Sequence, residues 1–486
     1  MRPPRRDSPR PVGHPGGFRP AKIVPDDDAT RPRREKHARA AAAATPAAAP
    51  APAPTARRRR PRPRQRQRRR SRHRPGRDGI THSTPARALD GILVADFSRV
   101  LAGPLAAATL ADLGAEVIKV ERSGTGDDTR AWGPPFAADR TAAYFDAANR
   151  SKRGMTLDLG DPDDAAAARE LARRADVLIE NFRPGSLALP QGPDKLRPGG
   201  TPIGLDHTAT LAANPGLVHC TITGFGSGAG ARLPGYDFVV QAVGGLMSIT
   251  GEPGGTPLKA GVALVGVLTA KDATTGILAA LRHRDRTGRG QLVEVNLLSS
   301  LLGSLVNQAS GHLATGRDPG PMGNRHPSIA PYETLACRGG QLLAVAVGND
   351  RQFRELARVL GAPELAEDLR FARNEDRVRN RTDLIEALED RLTSDTPHGW
   401  TGRLSAASVP CGPVNTVSEA LALAARLGLD PVTPVGEGRT PQVTSPLRLS
   451  GTPVAQPFAP PRLDEHGTAL RTWLSGPAGS PLPPRM

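Results

Sequence analysis

Cysteine is scarce in this chain. Cys220, Cys337 and Cys411 lie far apart, and no C-x-x-C pair or Cys/His spacing of a metal site occurs. An odd, sparse count suits a reducing compartment, so a cytoplasmic protein without a metal centre is expected. Long apolar runs are missing too. No run approaches the ~18 residues of a membrane helix, and no apolar segment follows the early arginines, which argues against a secretory signal. The G-x-G-x-x-G fingerprint is absent after the first predicted strand, so no dinucleotide site is expected.

What is abundant is positive charge, but only at one end. The formal net charge is +17; residues 1–87 hold 25 Lys+Arg against 6 Asp+Glu, leaving 40 basic and 42 acidic residues in the body. The body is therefore slightly acidic, and the high isoelectric point says nothing about its partners. Residues 1–87 are an Arg/Pro/Ala-rich stretch with almost no large apolar side chains. Such a segment cannot bury enough surface to offset its ordering entropy, and a disordered tail is expected. Its arginine runs, Arg57–Arg60 and Arg68–Arg70, would attract any polyanion, but nucleic acid is not the expected partner of the folded body.

The body reads as alternating strands and helices from about Leu89. Ile92–Phe97 is a predicted buried strand, Leu105–Leu113 a helix ended by Gly114, and Glu116–Glu121 the next strand. Asp163–Ala175 is predicted as a helix and Asp176–Glu180 as a strand. The alternation gives an α/β, Rossmann-like class with a parallel sheet. Pro190–Pro202 is Pro- and Gly-rich and reads as a surface loop.

Lys259–Leu297 concentrates the most pattern. Val262–Val267 is a short apolar run, Leu268–Arg284 reads as a helix, the glycines of Arg286–Gly290 stop it, and Leu292–Leu297 reads as a buried strand. On its own this is one more strand–helix–strand unit.

GILAAL (Gly276–Leu281) and RTGRGQLVEV (Arg286–Val295) resemble the family III CoA-transferases, the CaiB/BaiF-type group that includes formyl-CoA transferase and the α-methylacyl-CoA racemases. Further matches run in order through NRSKRGMTLDL (Asn149–Leu159), ENFRPGSL (Glu180–Leu187), GNRHPSIAPYETL (Gly323–Leu335) and VPCGPVNT (Val409–Thr416). The resemblance covers roughly residues 88–470. It implies a large CoA-binding domain at 88–322, a small α/β domain at 323–430, a return to the large domain over 431–475, and a terminal disordered tail at 476–486. It also implies an interlocked homodimer, and acyl-CoA and a small carboxylic acid as substrates with no bound cofactor.

In that family an aspartate ten residues before the GILAAL glycine attacks the acyl-CoA thioester. The mixed anhydride that forms is converted to an enzyme–CoA thioester, from which the acceptor acid takes CoA. Here that position is Gly266, which can offer an N–H to an oxyanion but no carboxylate. The chain therefore reads either as a CoA-transferase using another group or as a CoA-ester-binding protein without turnover. Asp237 is the first alternative carboxylate; its plainer reading is the N-cap of a helix at Phe238–Met247. In the racemases a histidine precedes this aspartate, and Tyr236 in its place argues against racemisation. By resemblance, CoA contacts fall on Leu101, Ala102, Arg122, Leu157, Asp158, Asn181, Phe182, Arg183, Thr223, Gly224 and Phe225, with Arg122 the foremost phosphate contact. Leu101 departs from formyl-CoA transferase, which has a polar residue there.

Overall fold

The computed structural model describes residues 87–137, 140–188 and 203–484. The 1–86 part of the expected tail and all of the Pro190–Pro202 loop lie outside these residues.

Strands β1 (Leu93–Asp96), β2 (Glu116–Arg122), β3 (Lys152–Leu157), β4 (Val177–Glu180), β5 (Val218–Thr223) and β6 (Leu292–Asn296) form one sheet. Its order is β3-β2-β1-β4-β5-β6, with every pairing parallel. The chain moves outward from β1 in one direction and then restarts beside it at β4. Loops after these two strands therefore diverge, opening a crevice at their carboxyl ends.

Helix α1 (Ala102–Asp112) connects β1 to β2, α2 (Ala143–Asn149) precedes β3, α3 (Pro162–Arg174) connects β3 to β4, and α4 (His207–Ala213) precedes β5. Helices α5 (Asp237–Val243) and α6 (Leu264–Thr287) lie between β5 and β6. Alternate residues of each strand serve opposite faces. Val94, Val117, Val177, Ile179 and Val218 pack on alanine-rich α1 and on Ala273, Ile277 and Ala280 of α6. Leu93, Ala95, Ile118, Met155 and Leu178 pack on Leu171 of α3 and on Leu470 and Trp473 of the C-terminal helix Gly467–Ser475. The small side chains of α1 allow close approach to α6.

Three local expectations are corrected. Val262–Val267 is not a separate strand or run: the helix starts at Leu264, which makes Gly266 its third residue. Glycine and valine in that stretch fit a buried first turn, and periodicity over six residues cannot separate strand from helix. β6 is an edge strand and only partly buried, because among the described residues nothing pairs beyond it. Asp237 does not cap its own helix: Tyr236 is the N-cap of α5 and makes no side-chain capping bond, while Asp237 is the first helical residue. The stop after α6 is as read, with Gly288 left-handed at φ 73°. The 24 residues of α6 are apolar and long enough to cross a membrane by composition, but half of that window is buried, as in a core helix.

After β6 come α7 (Leu297–Ser304) and α8 (Val306–Thr315), then an antiparallel sheet of β7 (Tyr332–Ala336), β8 (Leu342–Ala346) and β9 (Cys411–Pro413). This sheet has its own core: Leu335, Leu343 and Val345 with Phe353, Leu356, Leu384, Leu388, Trp400 and Leu404. Arg377 is fully buried there, donating to the carbonyls of Ala330 and Phe371 and pairing with Asp350 at 2.7 Å. Beyond Ser475, where the sequence reads as a tail, Ser480 O accepts from Trp473 Nε1 and Pro483 O from Arg153.

Candidate functional site

The carboxyl ends of β1, β4 and β5 and the first turn of α6 wall a cleft of about 850 Å³. Of the residues named from sequence, Leu101, Ala102, Asn181, Phe182, Arg183, Thr223, Gly224, Phe225, Asp237 and Gly266 line it together. Three are not among the lining residues. Leu157 is buried at the end of β3, Asp158 donates its N–H to Asp164, and Arg122 is half exposed, 3.9 Å from Asp128. Arg122 thus stands beside Asp128, which does line the cleft. The cations on the wall are instead Arg99, Arg183, Arg232 and Lys259.

The turn after β1 is held in an unusual shape. Val100 has φ 72°, a left-handed backbone that a β-branched residue adopts only under constraint. The constraint is ionic and buried. Val100 N–H donates to both Asp127 oxygens at 3.2 and 3.3 Å, and Lys119 Nζ donates to Asp127 at 3.0 Å and to Ser98 O at 2.6 Å. Asn181 clamps the same turn from β4, accepting from Arg99 N–H and donating to Arg99 O, both at 2.8 Å. Both side-chain bonds of Asn181 shown here are thus spent on bracing this turn.

A second buried lysine braces the start of α1. Lys152 Nζ pairs with Asp96 at 2.8 Å and donates to Pro104 O and Asn149 Oδ1. Burial pushes the Lys152 ammonium down to about 8, against the pull of Asp96. Burial alone would raise the Asp127 carboxyl, but the Lys119 charge and the Thr129 donors hold it at about 2. Nothing in the composition marked these groups. The only signal was Lys119 inside the predicted strand Glu116–Glu121, where apolar residues are the rule; Lys152 lies in a stretch read only as a motif match.

On the opposite wall, Gly224 and Gly235 touch. A Cβ on Gly224 would come within 2.6 Å of Gly235 Cα, so neither position admits a side chain without movement of backbone. This contact sets the loop leading into Tyr236 and Asp237 against the end of β5. Asp237 then reaches across to α6: Oδ1 accepts Gly266 N–H at 2.9 Å, and Oδ2 accepts from Gln241 Nε2 at 2.6 Å. Gln241 is fully buried and anchored in turn, its Oε1 accepting from Ala260 N–H at 2.8 Å. Asp237 thus caps the first turn of α6, where an anion is favoured by the unsatisfied N–H groups and the helix dipole.

Gly266 itself is buried. A Cβ built there would lie 2.9 Å from Leu101 Cδ2, and the next two nearest atoms belong to the same side chain. Leu101 therefore occupies the direction in which a side chain at 266 would point. Across the cleft, the Tyr144 phenol is pushed up by burial and by the negative charges of Asp237 and Asp127. Among the described residues no cluster of His, Cys, Asp and Glu could hold a metal.

The model of CoA-transferase family III matches residues 89–467. The chain is 42% identical over 388 residues to succinate–glutarate CoA-transferase of Agrobacterium fabrum, covering 78% of this chain and 93% of that one. It is 38% identical to acetyl-CoA:oxalate CoA-transferase of Acetobacter aceti, covering 82% and 99%. A CaiB/BaiF family protein of Brucella suis has a solved structure with TM-score 0.71 and 42% identity, covering 80% of this chain and 100% of that one. The protein carrying this cleft belongs to the family III CoA-transferases.

Proposed function

We propose that the protein exchanges CoA between an acyl-CoA and a small dicarboxylic acid in the cleft at the ends of β1, β4 and β5. The carrying observation is the convergence of the turn after β1, the loop after β4, the end of β5 and the first turn of α6 on one cavity. Its volume suits part of a CoA ester together with a small acid. Exposed Arg183, Arg232 and Lys259 supply cations for phosphate or for a second carboxylate. Succinate, glutarate and oxalate appear in the names of the relatives, which supports a dicarboxylate.

The second reading, CoA-ester binding without turnover, is favoured by one observation: Gly266 has no carboxylate, and Leu101 fills its side-chain space. A homodimer belongs to the proposal as well. Phe238, Val239 and Val243 of α5 and Leu302, Val306 and Leu313 of α7 and α8 are exposed apolar side chains that a second copy would cover.

Calorimetric titration with CoA, followed by succinyl-CoA with glutarate or oxalate and mass detection of the new CoA ester, tests the proposal. Binding with product formation supports exchange, and binding without product supports the second reading. No heat and no thermal shift at millimolar CoA would remove both.

A further inference from the structure

We infer that Asp237 is the covalent nucleophile of this protein, carried on α5 and delivered to the first turn of α6, where Gly266 supplies an N–H and no carboxylate. The inference rests on the exchange reading above and names the residue that performs it.

Three observations converge. Asp237 lines the cleft and is partly exposed, whereas Gly266 is buried under Leu101. The Asp237 carboxylate is oriented by two donors: Gly266 N–H at 2.9 Å and Gln241 Nε2 at 2.6 Å. Gln241 cannot swing away freely, because it is fully buried and bonded to Ala260 N–H. A nucleophile held in one rotamer by a buried second residue beside an oxyanion donor is what group transfer requires.

The reaction balances without any further reagent. A carboxylate oxygen of Asp237 attacks the thioester carbonyl carbon, the C–S bond breaks, and CoA thiolate leaves a mixed anhydride on Asp237. The thiolate adds to the Asp237 carbonyl carbon of that anhydride, and the C–O bond to the donor acyl group breaks. The donor acid departs as its carboxylate, leaving a thioester between Asp237 and CoA. The acceptor carboxylate then repeats the sequence in reverse and leaves as its CoA ester, with the Asp237 carboxylate regenerated. No proton or electron is gained or lost overall. Gly266 N–H is placed to hold the oxygen that becomes negative when the thiolate adds to Asp237.

The test is to trap the intermediate on the full chain. Protein incubated with succinyl-CoA is quenched with hydroxylamine, and peptide mass mapping should find a hydroxamate at Asp237. Asp237→Asn should lose transfer to glutarate or oxalate by at least about 1,000-fold while binding CoA within about twofold of the parent. Asp237→Glu keeps the charge and checks that the loss is not a folding defect. A hydroxamate at another residue, full activity in Asp237→Asn, or an absence of both label and transfer would each overturn the inference. CoA titration separates these failures from failure of the reading beneath: a protein that binds CoA but carries no label keeps its pocket and loses only this nucleophile.

Discussion

Placing a carboxyl at position 266 measures how close Asp237 lies to the α6 terminus. In Gly266→Asp the local terms nearly cancel. Leaving glycine gains a few tenths of a kcal/mol of helix propensity. An acid in the first turn adds about 0.5 kcal/mol. Leu101 must yield, because its Cδ2 lies 2.9 Å from the new Cβ, at about 1 kcal/mol for a displaced rotamer. What remains is charge. Asp237 Oδ1 lies 2.9 Å from Gly266 N, so the new carboxylate falls on the order of 5 Å from it, a repulsion of about 3 kcal/mol at an effective dielectric of ~20. The introduced carboxyl escapes by keeping its proton, which raises its folded pKa by about two units. For an acid with a raised folded pKa, stability is intact below the unfolded value near ~4 and is lost as pH rises through ~6. Urea unfolding of the parent, Gly266→Asp, Asp237→Asn and the double variant at about pH 4.5 and 7 closes a mutant cycle. The expected coupling is about 3 kcal/mol at pH 7 and much less at 4.5. A coupling near zero at pH 7 would refute the placement of Asp237 on α6, and with it the relocated nucleophile.

Asp127→Asn should destabilise the protein by about 3 kcal/mol, because Lys119 loses a buried partner, and should weaken CoA binding by freeing the turn at Val100; a urea midpoint and a CoA titration check both. The contribution of Asp127 follows pH in the opposite sense to that of the introduced carboxyl. Its carboxyl is held at about 2, so about 2 kcal/mol present above pH ~4 is lost on acidification towards 2, and the gap between parent and Asp127→Asn should narrow there. Gly224→Ala should cost about 1–3 kcal/mol, since its Cβ meets Gly235 backbone at 2.6 Å, and thermal unfolding reads it. Arg183→Ala should weaken CoA binding more than Arg122→Ala in the same titration, because Arg183 lines the cleft and Arg122 stands outside its lining.

Four of the six strands of the sheet were legible, as short apolar runs between glycine- or aspartate-bounded helices; β3 and β5, with lysine, arginine, histidine and threonine among their residues, were not. Glu116–Glu121 and Asp163–Ala175 each fall within a residue or two of the observed elements. The cleft was legible as far as it follows chain order, since loops after buried parallel strands gather at one end of the sheet. Interactions across the sequence were not. Asp237 is 29 positions from Gly266, and no local pattern distinguishes an aspartate that caps its own helix from one that caps another. Arg122 was given weight for its place after a strand, but the direction of its side chain depends on Asp128, which a strand pattern does not specify.

Leu101 lies over Gly266, its Cδ2 2.9 Å from where a Cβ at position 266 would stand. Beneath Leu101, Asp96, Lys119, Lys152 and Asp127 form a fully or almost fully buried ionic set whose bonds fix the Ser98–Leu101 turn. Burying four charges is expensive unless every one is paired, and Val100 adds backbone strain to that cost. A fold gains nothing in stability from such an arrangement that well-packed apolar residues would not supply. What the set does fix is the shape of the turn, and Arg99, Val100 and Leu101 of that turn wall the cleft.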